Sequence, residues 1–131
     1  MKILKAGIIA GIAGIIVSFV MQFATMSVTA PLFAASLPVW KPMTSPEWAL
    51  MYLVPLLTGL MMAFTYSFLD KKTPVFKNGL SFGVLVWALA NVPGMLMTYS
   101  SFAVPTTLVA LWMLTGLVQY VVMGFVIQKL W

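Results

Sequence analysis

Cysteine, histidine and arginine are absent from this chain of 131 residues, and its carboxylates are Glu47 and Asp70 alone. Without cysteine there is no disulfide, thiol nucleophile or thiolate metal site. Without histidine the commonest general base and the commonest haem ligand are missing. Glu47 and Asp70 bound an uncharged apolar run long enough to cross a bilayer, so they form no acid–base pair. No acid stands inside an apolar run either, which argues against a proton-coupled transporter built on an intramembrane carboxylate. No enzymatic chemistry, no cofactor and no metal site are expected.

Hydrocarbon fills the space that charge leaves empty. The chain is 63% hydrophobic and 7% charged, with a mean hydropathy of +1.08, where a soluble domain carries roughly 25% charged residues. Lipid is therefore the solvent. The formal net charge of +5 comes from seven lysines scattered near apolar boundaries. They read as membrane anchors rather than a nucleic-acid-binding face.

Four helices of about 20 residues or more are expected, since each must cross ~30 Å of hydrocarbon with its backbone satisfied internally. Residues 6–30 form the first, closed by Pro31. The competing reading, a secretory signal after Lys2 and Lys5, fails because the apolar run far exceeds a signal core. Pro31 to Met43 carries three prolines and reads as a non-helical segment anchored at the interface by Trp40. The second helix, 46–69, starts with Ser45 as N-cap, Pro46 at the first position and Glu47 on the positive end of the dipole, with Pro55 as an internal kink. Asp70-Lys71-Lys72, Pro74 and Lys77 make a charged turn. The uncharged run from Asn78 to Gln128 would be roughly 75 Å long as one helix, so it breaks near Tyr99–Pro105 into helices 79–98 and 105–129. The fold class is an all-α integral membrane four-helix bundle in a single domain, 1–131.

Lys2, Lys5, Lys71, Lys72, Lys77 and Lys129 fall on one side of this layout and Lys41 on the other. By the positive-inside rule both termini are cytoplasmic, in the cell (inner) membrane. Helices 1 and 3 open alike, with Gly7 and Gly11 after Lys5 and Gly79 and Gly83 after Lys77. Helices 2 and 4 share Leu57-Thr58-Gly59-Leu60 and Leu114-Thr115-Gly116-Leu117. These matches read either as two repeated helical hairpins of the parallel type or as coincidence in an apolar alphabet.

Gly7, Gly11, Gly14, Ser18, Gln22, Thr25 and Thr29 recur every three or four residues and so share one face of helix 1. Its glycines, with Gly79 and Gly83, read as helix-packing seams. Counting rises from the inner ends sets Gln22, Thr58, Asn91, Thr115 and Gln119 at comparable depths, a candidate polar layer. Such a layer is either interhelical glue or a site for a small polar or neutral solute. Asn91 stands beside Pro93-Gly94, which would free backbone carbonyls there, and is a candidate acceptor for the deep indole of Trp87. Eleven methionines could suggest soft copper(I) ligands, but without His or Cys they read as adaptable apolar filler.

The layout, and in particular Leu114-Thr115-Gly116-Leu117-Val118-Gln119-Tyr120 followed by Gly124 and Trp131, resembles uncharacterised small four-helix prokaryotic membrane proteins of the domain-of-unknown-function type. That resemblance implies a fold and supplies no functional residue. The expected activity is that of a non-enzymatic accessory or assembly subunit. Its partners are the bilayer and either further copies of itself or a larger membrane complex. The alternative is a small transporter or channel using the polar layer.

Overall fold

The computed structural model describes residues 1–42, 44–69, 73 and 78–131. It is all-helical among those residues, with four helices long and apolar enough to cross a membrane: α1 (Lys2–Ala35), α2 (Pro46–Phe68), α3 (Gly79–Ser101) and α4 (Thr106–Leu130). The turn expected at Asp70-Lys71-Lys72, Pro74 and Lys77 lies outside the described residues, as does Met43.

Pro31 does not close α1, which continues through it to Ala35. A proline inside a helix removes one backbone hydrogen bond, a loss that membrane helices tolerate. The helix ends instead where the Ser36 hydroxyl donates to the carbonyls of Leu32 and Phe33, at 3.1 and 3.0 Å, just before Pro38. The expected non-helical segment therefore begins at Ser36 and includes a 3-10 turn at Leu37–Val39. Trp40 donates to the Ser36 hydroxyl (3.1 Å) and packs edge-on against Trp112 of α4, so it ties this segment to the bundle rather than merely floating at the interface.

A 3-10 turn, Pro46–Ala49, precedes the regular part of α2. Ser45 does not cap it by a side-chain bond to the backbone. Its hydroxyl donates to Glu47, which also accepts from Lys41 at 2.9 Å. α3 runs three residues beyond its expected end. Its start is capped by Asn78, whose Oδ1 accepts from the backbone N–H of Leu80 at 3.0 Å, and by Gln128 of α4, whose Oε1 accepts from that of Gly79 at 2.9 Å.

The order across the bundle is α2, α1, α4, α3: α1 packs along both α2 and α4, and α3 along α4. At the end carrying the termini all four helices converge on a core of Ala6, Ala10, Met62, Ala63, Tyr66, Phe82, Met123 and Ile127. There the Tyr66 and Phe82 rings join α2 to α3, with centroids 5.2 Å apart. A smaller core of Val104, Leu108 and Val109 closes the opposite end under Leu32, Trp40, Met95 and Trp112.

Two backbone clasps hold the hairpins. Gly59 of α2 sits between Gly7 and Gly11 of α1, so close that a Cβ there would run into the Gly7 carbonyl and lie 2.6 Å from the Gly11 nitrogen. Gly124 of α4 sits likewise between Gly79 and Gly83 of α3, where a Cβ would meet the Gly79 carbonyl and lie 2.9 Å from the Gly83 nitrogen. The match extends to the neighbours. Gly11 faces the Pro55 carbonyl and Leu56 Cα, while Gly83 faces the Tyr120 carbonyl and Val121 Cα. In a medium with no hydrophobic drive between helices, such backbone approach supplies dispersion and weak Cα–H···O contacts. The position equivalent to Gly59 is thus Gly124, two turns past the Gly116 suggested by the shared Leu-Thr-Gly-Leu. Gly14 belongs to another seam, against Met123 and Gln119 of α4.

Candidate functional site

The polar residues near mid-span are carried mainly on α4, which offers Thr115, Gln119 and Tyr120 around the bare Cα of Gly116. Asn91 of α3 covers that glycine. A Cβ on Gly116 would fall 2.7 Å from Asn91 Oδ1 and 2.8 Å from Nδ2, so the carboxamide lies flat against the α4 backbone. Oδ1 is buried and, among the described residues, accepts no hydrogen bond. A buried amide oxygen without a donor is costly in hydrocarbon, so this group is either tolerated in strain or served by a donor from outside the chain.

The local sequence explains why Asn91 is presented there. Pro93 has no N–H, and its ring would clash with the carbonyl four residues earlier in a regular helix. α3 responds by widening into a π-helical turn, Trp87–Asn91, in which the Val92 N–H reaches the Trp87 carbonyl. Pro93-Gly94 therefore bends the hydrogen-bond pattern without breaking the helix. Trp87 does not use Asn91 as its acceptor; its indole N–H donates to the Met113 carbonyl of α4 at 2.9 Å. The packed indole helps hold the π turn against α4.

The five candidate residues are not assembled alike. Thr58 of α2 faces the phenol of Tyr120. Gln119 turns its Nε2 toward Gly14 of α1. Thr115 is half-buried next to Gly116. Gln22 is exposed on α1, eight residues beyond Gly14 and hence about 12 Å farther along the axis. Exposed at that height, it joins none of the others. Thr25 and Thr29 on the same stretch return their hydroxyls to the carbonyls of Met21 and Thr25, at 2.8 and 3.1 Å. No such local partner is available to the longer Gln22, which forms no hydrogen bond among the described residues.

Tyr120 and Gln128 carry interhelical contacts that spacing alone did not single out. The signal for Gln128 was its place opposite the opening of helix 3, where unpaired N–H groups need acceptors. At the end opposite the termini, Trp40, Lys41, Glu47, Trp48 and Met51 border an open cavity of about 210 Å3 in which both charges are already paired with each other.

No protein-family model matches this sequence, and neither the curated proteins nor the solved structures include a match to it.

Proposed function

We propose that this chain is a non-enzymatic, multi-pass protein of the cell (inner) membrane, with both termini cytoplasmic, that works by association as an assembly or accessory subunit. Gln22 is the observation that carries this reading. It lies some 22 Å from Gly7 along α1, still within hydrocarbon, and its exposed amide has no hydrogen-bond partner among the described residues. An amide so placed gains by hydrogen-bonding across to another helix, the commonest use of such groups in membranes. An amide is both donor and acceptor, so a second copy satisfies it as well as a different subunit does. The paired glycine clasps support descent from one duplicated hairpin, which is itself an associating unit.

The test is the size of the particle extracted in a mild detergent. Wild type is expected to run as an oligomer or complex and Gln22→Leu to shift toward the single chain; a wild type that runs as a single chain refutes the reading.

A second reading is favoured by one observation, the unpaired buried oxygen of Asn91 in the π turn. Broken or widened helices beside a polar group are the usual setting of a solute site. Under this reading, liposomes holding wild type leak a small neutral solute faster than those holding Asn91→Leu. Flux at the level of empty liposomes for both removes it.

A further inference from the structure

At the end that carries the termini, Met1, Lys2, Leu4, Lys5 and Ile8 line an open cavity of about 330 Å3 on the surface of α1. Among the described residues no carboxylate borders it, and the ion pair found among them, Lys41 with Glu47, belongs to the opposite end of the bundle. From the cavity an apolar ridge runs into the membrane. Leu4, Ile8, Ile12 and Ile16 follow at four-residue spacing, each between 40% and 58% exposed. At ~1.5 Å per residue the ridge is about 18 Å long, close to the depth of one leaflet of a ~30 Å core.

Two lysines without an ion-pair partner among the described residues, at the membrane surface above an apolar track one leaflet deep, match the outline of a single phospholipid. We propose that Lys2 and Lys5 hold the headgroup phosphate of an anionic phospholipid, one of whose acyl chains lies along Leu4, Ile8, Ile12 and Ile16. The charge pattern selects the class of lipid. A zwitterionic headgroup brings an ammonium group, for which the described residues lining this cavity offer no anion, whereas the cavity at the other end offers Glu47 beside Lys41. Lysines near a surface attract acidic lipids by short-range electrostatics, each adding to the affinity. Lys129 ends α4 on the same side but sits over the Phe125 ring, 5.4 Å from its centroid, and does not line the cavity.

The experiment is a thermal-unfolding titration of the full chain in neutral detergent at constant ionic strength. Dioleoylphosphatidylglycerol, dioleoylphosphatidylcholine and glycerol phosphate are added in separate arms. Saturable stabilisation by phosphatidylglycerol alone is expected. The Lys2→Gln/Lys5→Gln double variant should need roughly thirtyfold more of it for half-effect, and Lys129→Gln should titrate as wild type. Both lysines are exposed, so the variants are expected to fold. Equal stabilisation by phosphatidylcholine overturns the proposal, as does a double variant that titrates like wild type. A response to glycerol phosphate alone would replace the lipid with a free anion, and weakening by Lys129→Gln would show diffuse charge rather than a site.

Discussion

The side chain of Asn91 in α3 rests on Gly116 in α4, with Oδ1 2.7 Å from where a Cβ at that glycine would stand. A methyl group at 116 must displace the amide or part the helices. Gly116→Ala is expected to destabilise the protein by about 1–3 kcal/mol, the usual cost of overpacking. The two residues share one contact, so the cost should fall in an Asn91→Ala background, where the displaced group is gone. Reversible unfolding in detergent measures both; equal costs in the two backgrounds would place Asn91 elsewhere.

Asn91→Leu replaces a buried acceptor that lacks a donor with an apolar group of similar length. Removing such a group is neutral or stabilising, whereas deleting a satisfied amide costs about 1 kcal/mol. Unfolding of this variant at or above the wild-type midpoint is expected. A clear loss would mean that the oxygen is bonded in the membrane to a donor, such as water or solute, from outside the chain.

Gly59→Ala and Gly124→Ala each force a methyl group into a backbone carbonyl, which cannot rotate away as a side chain can. Both are expected to cost at least ~1–3 kcal/mol, and because the clasps share no residue the double variant should be additive within ~0.5 kcal/mol. Gly94 has nothing within 4 Å of its Cβ position. There the same substitution is expected to be neutral or to stabilise by up to ~1 kcal/mol through helix propensity.

Trp87→Phe keeps the ring volume in part and deletes the donor to the Met113 carbonyl. The expected loss is about 0.6 kcal/mol, the mean for hydrogen bonds between membrane helices. An unchanged unfolding midpoint would mean that the indole N–H contributes nothing to holding the π turn on α4.

The four spans were legible in the sequence because length and charge spacing alone dictate them. Lys5, Lys41, Glu47 and Lys129 mark where polypeptide leaves oil, and Gly7, Gly11, Gly79 and Gly83 mark faces that must lie against another backbone. Which backbone was not legible. Periodicity places residues on a face but does not choose the partner helix, so Leu-Thr-Gly-Leu drew attention to Gly116 when the counterpart of Gly59 is Gly124. Pro31 misled for a related reason: proline forbids one hydrogen bond, and a helix whose other bonds are intact continues. The candidate layer came apart at Gln22 because equal depth along four separate helices says nothing about which way each side chain turns. Asn91 stands out through its neighbour Pro93, but whether a proline breaks its helix or widens one turn of it depends on the packing around it, here the seating of Trp87 and Asn91 on α4.

Each glycine clasp joins helices that are adjacent in the chain, α1 with α2 and α3 with α4. The tightest contacts are therefore made inside each half, before the halves need to meet along α1 and α4. Membrane insertion can proceed two crossings at a time, each pair locking as it leaves the translocation machinery. Halves 1–72 and 73–131, made as separate polypeptides in one cell, should accordingly find each other and restore the whole.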